Sequence, residues 1–170
     1  MRVFWTHGFE EASLARLTGE MGIRAPSLYA AFGDKQGLFD EAVERYRARM
    51  GAGIVAALSA PDPRVAVERL LRGAAAGHTD DATPAGCLVM SEPCLDAVRT
   101  EVRDALAERL HAAAAAGDLP AGVDPDGYAA LVGAVLVGMS SRARDGATRA
   151  ELDGVVDQLL AAWPLEGAAT

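Results

Sequence analysis

Aromatic residues, cysteine and lysine are scarce in this sequence of 170 residues. Aromatic residues make up 5% of the chain and hydrophobic residues 51%, so a packed core must be built mainly from Ala, Leu and Val. Ala and Leu favour helices, whereas the alternating runs of β-branched residues that are typical of strands are few. The composition therefore predicts an all-α protein.

Long apolar runs are also missing. No stretch approaches the roughly 20 residues that a membrane-spanning helix needs, and no signal peptide follows Met1. The two cysteines, Cys87 and Cys94, match neither a disulfide framework nor a CxxC-type zinc site. We therefore expect a cytoplasmic protein without a bound metal. Together with His78 or His111, the two thiols are an alternative site for a soft metal or for oxidation, although a buried structural thiol is commoner.

Motifs of the common enzyme classes are absent from the sequence. It has no Walker loop, no GxGxxG after a strand, no HExxH and no nucleophile elbow. A nucleophile pair of Cys87 and His78 is the one catalytic alternative, and nothing in the sequence brings the two residues together. We expect a protein that is not an enzyme and has no cofactor.

Negative charge dominates the chain but is unevenly distributed. The formal net charge is −8, yet residues 1–57 carry 7 basic and 7 acidic side chains, against 9 basic and 17 acidic in residues 58–170. The acidity thus lies outside the N-terminal segment. An acidic remainder would repel a nucleic acid and discourage non-specific contact, although solubility is its plainer role.

Apolar periodicity divides the chain into a series of helices. The two nearest the C-terminus are the most clearly amphipathic, because their apolar residues recur at i, i+3, i+4, i+7, i+8 and i+11. We predict helical segments at residues 2–6, 14–21, 26–32, 34–58, 63–77, 87–94, 95–117, 124–143 and 148–163.

The stretch from His7 to Tyr46 contains two short helices joined by a turn at Gly22, the pattern of a helix-turn-helix. The second helix, over residues 26–32, would be the recognition helix. A small core is expected from Leu17, Met21, Ile23, Leu28 and Phe32. This packing would leave exposed Arg24, Ala25, Ser27, Ala30 and Ala31.

The same stretch resembles the TetR family of bacterial repressors. The resemblance rests on Ser13–Leu14–Ala15, Gly22–Ile23, Ser27–Leu28–Tyr29–Ala30–Ala31–Phe32, Asp34–Lys35 and Leu38–Phe39 at the family's spacing. It implies a helix-turn-helix DNA-binding domain at residues 1–46 and a helical ligand-binding and dimerisation bundle at residues 47–170. It also implies a ligand-responsive regulator, most often a repressor, that binds palindromic operator DNA as a homodimer.

Roles at the DNA follow from the resemblance position by position. Ser13 matches a hydroxyl that caps a helix and reaches a phosphate, and Tyr29 and Lys35 match contacts to the DNA backbone. The base-reading positions at the start of the recognition helix are matched by Arg24, Ala25 and Ser27. Each residue also has a plainer interpretation: Ser13 as a cap only, Tyr29 as the rim of the core, and Lys35 as a solvated charge. In the family the first helix is longer, so we expect the reading frame to begin upstream of Met1.

The two C-terminal helices resemble the pair that forms the dimer interface in this family. We expect that interface to include Leu131, Val135, Val156, Leu159 and Trp163. The alternative is that these stripes are buried within one subunit. Helices between Lys35 and Met139 would enclose a pocket for a small-molecule effector, with four candidate lining residues: Tyr46, Met50, Met90 and Met139.

Two alternatives to the ligand-responsive repressor remain open at this point. One is a metal- or redox-responsive regulator that uses Cys87 and Cys94. The other is a helical small-molecule-binding protein that does not bind DNA. Binding of the protein to duplex DNA, with steep dependence on salt, separates the regulator from a protein without a DNA role.

Overall fold

A computed structural model describes residues 1–163, and within them every regular element is helical, as the sequence predicts. None of these helices is long and apolar enough to cross a membrane. The elements in chain order are α1 (Arg2–Glu11), α2 (Leu14–Met21), α3 (Ala25–Phe32), α4 (Lys35–Leu58), α5 (Pro63–His78), α6 (Leu88–Ser91), a 3-10 turn (Pro93–Leu95), α7 (Asp96–Ala116), α8 (Pro125–Arg144) and α9 (Arg149–Ala161).

Polar side chains begin most of these helices. The first N–H groups of a helix have no acceptor within it, so a carboxylate or hydroxyl at the preceding residue stabilises the start. Asp34 accepts from the N–H of Gly37 ahead of α4, and Asp62 and Asp124 do the same for α5 and α8. Thr148 and Glu151 form a reciprocal capping box at α9. These local signals explain why the predicted helix starts agree with the structure.

The N-terminal unit, α1 to α3 with the first half of α4, is held together by an apolar core that it shares with residues of the α6 segment such as Leu88 and Val89. Leu17 and Leu28 are buried between α2 and α3, and Phe4 of α1 packs edge-on against Phe39 of α4 with ring centres 5.1 Å apart. The expectation for Met21 is wrong, because its side chain is 41% exposed. Met21 ends α2 just where the chain turns at Gly22, so the neighbouring helices do not cover it.

The larger part of the chain forms a second core from α5, α7, α8 and α9. Leu71, Leu110 and Val132 lie at its centre and are fully buried. The two cores meet where α6 passes between α1, α7 and α8. This arrangement fixes the N-terminal unit on one end of a helical body.

Two residues expected at a dimer interface lie inside the subunit instead. Val156 is completely buried, and Trp163 packs edge-on against Tyr128 with ring centres 4.8 Å apart. Helix α9 packs mainly against α5 of the same chain, and Tyr128 belongs to α8, so both residues are covered within the subunit. Leu131 remains 49% exposed, while Val135 and Leu159 are half-buried.

Helix α4 runs without a break through residue 46, where we predicted a boundary between two domains. The boundary therefore stays a prediction. Residues 164–170 of the predicted second domain lie outside the described part of the chain.

Two valines of different burial test the position of the body core. We expect Val132→Ala to lower the free energy of unfolding by about 2 kcal/mol, because it removes fully buried methyl groups and leaves a cavity. Val55→Ala is the matched control: Val55 is 69% exposed, so the change should stay within about 0.5 kcal/mol. Urea unfolding of both variants measures the difference, and equal losses would contradict the packing.

Candidate nucleic-acid interface and adjoining cavity

The outer face of the N-terminal unit is formed by α3 and by the residue that precedes it. Helix α3 has Pro26 in its first turn, where the missing N–H costs no hydrogen bond. Leu28 faces inward, whereas Arg24, Ser27 and Tyr29 are exposed, Tyr29 by 45%. Of the other residues expected outside, Ala30 and Ala31 are exposed and Ala25 is half-buried. The exposed side chains supply the donors that bind base edges and phosphates in DNA complexes.

The angle between α2 and α3 is set by a tight turn. Gly22 has φ +64°, a conformation that other residues rarely adopt. Its N–H donates to the carbonyl of Gly19, and the N–H of Ile23 donates to that of Thr18, which closes the end of α2. The turn thereby points α3 outward as a short and rigid ridge.

Ser13 lies at the start of α2, as the sequence predicts. Its hydroxyl accepts from the N–H of Arg16 at 3.2 Å and is exposed, so it caps the helix and remains open to a second partner. Arg16 itself was not among the predicted site residues. Its guanidinium is exposed next to Ser13 and 3.0 Å from the ring of His7. Arg16 follows the capping residue Ser13 by three positions, and residues at this spacing share one face of a helix. This spacing could have predicted that Arg16 lies beside Ser13.

Lys35 is not a freely solvated charge. Its ammonium donates to the carbonyl of Glu10 at 3.2 Å and lies 4.5 Å from the centre of the Phe9 ring. An ammonium has three hydrogens, so one bond to Glu10 leaves two for other acceptors. Lys35 thus joins the end of α1 to the start of α4 while keeping donors for a second group.

A cavity of about 420 Å³ lies between α4, α5, α6 and α7. Tyr46, Met50 and Met90 line it, as expected. Met139 does not, because its side chain is 2% exposed and packs in the body core. Most of the remaining wall is aliphatic. A volume in this range is ordinary for the binding site of a small molecule.

Three buried polar side chains line the cavity, and the sequence predicts only one of them, Tyr46, as a lining residue. The Tyr46 hydroxyl donates to the Cys87 sulfur at 3.1 Å, and burial raises the pKa of both groups, so each stays protonated at neutral pH. Burial also lowers the pKa of His78 to about 4, which keeps its imidazole uncharged. No local sequence pattern marks the convergence of residues 46, 78 and 87, because they lie in three segments far apart along the chain.

The two cysteines occupy different environments. Cys87 is buried in the cavity wall, whereas Cys94 is exposed, with its sulfur 3.7 Å from a carboxylate oxygen of Glu92. Burial and the nearby Glu92 raise the pKa of Cys94 above its ordinary value, which disfavours the thiolate that binds metals. Within residues 1–163, no three side chains of His, Cys, Asp or Glu come together as a metal site would require.

Two charged side chains of the body bind the backbone of α1 on either side of Gly8. Arg144 of α8 donates to the carbonyls of Trp5 at 3.1 Å and Thr6 at 3.4 Å, and Glu92 accepts from the N–H of Phe9 at 2.8 Å. Gly8 breaks the helix here with φ +76°. A Cβ at Gly8 would lie 3.2 Å from Glu92, so the close approach favours glycine.

Glu92 is continuous with the cavity wall. It follows α6, whose residues Val89 and Met90 line the cavity. Arg99 of α7 fixes this segment by donating to the carbonyls of Val89 at 2.8 Å and Glu92 at 2.7 Å. Helix α6 is thus joined to α1 both by direct apolar packing and by the carboxylate of Glu92.

Comparisons with known proteins agree with this geometry. The family model described as "Bacterial regulatory proteins, tetR family" matches residues 1–42. The HTH-type transcriptional repressor ComR of Escherichia coli (strain K12) is 34% identical over 178 residues, covering 96% of this chain and 85% of ComR. The repressor BdcR of the same organism is 31% identical over 112 residues, covering 65% of this chain and 56% of BdcR.

Solved structures give the same result. A cysteine mutant of the TetR family transcriptional regulator CifR, complexed with a 26-base-pair double-strand operator DNA, is 41% identical with a TM-score of 0.91, covering 96% of this chain and 92% of that one. A TetR-type regulator from Rhodococcus sp. RHA1 is 33% identical with a TM-score of 0.63, covering 96% and 94% of the two chains.

The Glu92 contact with α1 can be tested by hydrogen exchange. We expect Glu92→Ala to speed amide exchange across residues 1–46 by roughly tenfold, because a hydrogen bond to a charged group contributes about 1.5–3 kcal/mol. Glu92→Gln keeps an acceptor and should retain most of the protection. Glu108→Ala, an exposed glutamate on α7, is the control. Mass spectrometry of peptides from residues 1–46 and from α9 gives the measurement, and unchanged exchange in the N-terminal peptides would refute the role of Glu92.

Proposed function

The chain belongs to the TetR family of bacterial regulatory proteins, and we propose that it is a transcriptional repressor that binds palindromic operator DNA as a homodimer and releases it when a small molecule binds. The observation that carries this function is the exposed face of α3, with Arg24, Ser27 and Tyr29 pointing away from the core. A short exposed helix after a tight turn is the shape that enters the major groove. The protein would act in the cytoplasm, where its DNA lies.

The exposed residues divide into two roles. Arg24 can donate two parallel hydrogen bonds to the edge of a guanine, the Ala25 methyl can contact a thymine methyl, and Ser27 can bond to either kind of base. Around them, the donors suited to phosphates are Ser13, Tyr29 and Lys35, and we add Arg16 because it is exposed beside Ser13. Phosphate contacts fix the position of the protein, while base contacts select the sequence.

Charge favours approach by this face. Residues 1–57 are balanced, while the rest of the chain carries 17 acidic against 9 basic side chains. The acidic body is repelled by the duplex, which disfavours contact through any other surface. The domains that we propose, residues 1–46 for DNA and 47–170 for the effector and dimer, carry formal net charges of −2 and −6, so most of the acidity lies in the second.

The dimer would form through the exposed sides of α8 and α9. Leu131 of α8 is 49% exposed, and Val135 lies four residues later on the same helix face. Val155 of α9 is 42% exposed, and Leu159 follows it at the same spacing. Gly138 continues the α8 stripe with a small residue that allows close helix approach. Packing this surface against its own copy about a two-fold axis buries both stripes and presents two recognition helices to one duplex.

Release of DNA requires that the effector prefers one state of the protein over the other. The cavity wall at Val89 and Met90 leads through Glu92 to the backbone of Phe9. We therefore propose that an occupied cavity shifts α6 and changes the angle at which each N-terminal unit leaves the body. Two recognition helices at altered spacing no longer fit successive turns of the groove.

Single substitutions separate the two roles at the DNA. We expect Arg24→Ala to relax sequence choice at the base pairs that Arg24 reads, at a cost of about 1–3 kcal/mol on the preferred site. Lys35→Ala should weaken binding to all duplexes alike and lower the salt slope by about one. Arg103→Ala, on the acidic body, is the control.

Selection of duplexes from a random pool, followed by titration at several salt concentrations, measures both effects. Equal changes in sequence preference for Arg24→Ala and Lys35→Ala would overturn the assignment of roles.

One charged substitution tests the dimer surface. We expect Leu131→Arg to convert the dimer to monomers at micromolar concentration, because two buried guanidinium groups would face each other without a counter-charge. Val55→Arg places the same charge at an apolar residue that is exposed elsewhere on the body, and this control should stay dimeric. Sedimentation velocity distinguishes the species, and an unchanged dimer for Leu131→Arg would reject this interface.

A further inference from the structure

The buried wall of the cavity contains an imidazole without a partner. His78 is 2% exposed and lines the cavity, and its Nδ1 atom has no hydrogen-bond partner among residues 1–163. Beside it in the wall lie the Tyr46 hydroxyl and the Cys87 thiol, which bond to each other at 3.1 Å. A buried polar group without a partner costs free energy, so an unsatisfied imidazole in a cavity wall indicates where a ligand atom binds.

All charged groups of the cavity lie at its solvent-exposed rim. Arg47 pairs with Glu101, and Arg49 lies 3.8 Å from Asp80. Three of these four residues line the cavity, and their side chains are exposed by 37% (Arg47), 51% (Arg49) and 56% (Glu101). Arg69, which also lines the cavity, is exposed as well. The buried wall therefore offers only uncharged polar groups, and an ionised ligand group placed against it would lack a counter-charge.

The remaining wall favours an apolar ligand body. Its lining side chains are chiefly aliphatic or thioether groups, such as Met50, Ile54, Val89 and Val98. Methionine adapts its shape to irregular apolar groups, which suits a ligand of variable outline. A neutral imidazole has one donor and one acceptor nitrogen, so it can match a hydroxyl or a carbonyl oxygen.

We propose that the cavity binds an uncharged, mainly apolar molecule whose single hydrogen-bonding group, a hydroxyl or carbonyl, meets His78 beside the Tyr46–Cys87 pair. That this molecule acts as the effector rests on the proposed function, whereas its binding to the cavity does not. An amphiphilic anion that places its carboxylate on Arg49 or Arg69 at the rim is the competing occupant, and the experiment decides between them.

Three probes with the same tail and different head groups test the charge preference. Calorimetric titration at pH 7 compares 1-octanol, octanoate and octylammonium. We expect 1-octanol to bind at least tenfold more tightly than either ion. Tighter binding of octanoate, or no binding of 1-octanol up to its solubility limit, would overturn the proposal. Fluorescence gives a second readout, because the Trp5 ring packs 4.9 Å from Tyr46 of the cavity wall.

Variants of His78 test the hydrogen bond itself. His78→Leu removes the polar atoms at similar volume, and we expect it to fold, since replacing a buried unsatisfied group by an apolar one is nearly neutral. It should weaken 1-octanol binding about tenfold, as expected for the loss of one hydrogen bond. His78→Gln keeps a donor and an acceptor and should retain most of the affinity. Unchanged affinity in His78→Leu, with folding verified by circular dichroism, would overturn the role of His78.

Two controls keep this result separate from the proposed function. His111→Leu changes an exposed histidine that pairs with Asp126 away from the cavity and should bind 1-octanol like the parent protein. Operator binding without any probe is measured on the same preparations. A protein that binds 1-octanol but not operator DNA would contradict only the proposed repressor function. A protein that binds operator DNA but not 1-octanol would contradict only the proposal of a neutral ligand.

Discussion

Arg144 and Glu92 hold the backbone of α1 from opposite sides of Gly8 and thereby fix the N-terminal unit on the body. Arg144 binds the carbonyls that end the first part of the helix, and Glu92 binds the N–H that begins the next. Both are charged groups that bond to uncharged backbone, so the contact combines strength with a fixed direction. It sets the angle of α1, and through the shared core of Phe4, Leu17 and Leu28 it sets the angle of α3. A recognition helix is useful only if that angle is maintained.

The same attachment links DNA reading to the cavity. Val89 and Met90 line the cavity, and Glu92 follows Met90 by two residues. Arg99 of α7 holds this segment by donating to the carbonyls of Val89 and Glu92. Packed segments of this kind move between discrete arrangements, and we propose that a ligand that displaces α6 changes the orientation of the N-terminal unit as a whole. In this proposal the cavity and the DNA-reading unit are connected through one short element, α6.

Local and long-range features differ in how well the sequence predicts them. The helices and their starts follow from capping residues such as Asp34 and Thr148, whose partners lie within three residues. Amphipathic spacing also shows that α9 has an apolar stripe, but it does not say which neighbour covers it. The spacing therefore predicts Val156 and Trp163 at a dimer surface, whereas α9 packs against α5 of the same chain and Trp163 packs on Tyr128 of α8. The cavity residue His78 and the contact of Glu92 with Phe9 join elements far apart in sequence, and no local pattern marks them.

We propose that two α3 helices, each fixed on its body and related by a two-fold axis, read one palindrome. Hydroxyl-radical footprinting of the duplex that the protein selects from a random pool tests it most directly. We expect two protected segments on one face of the duplex, symmetric about the palindrome centre, with their centres about 34–36 Å apart or a multiple of that distance. A single protected half-site, or no protection at low salt, would contradict it.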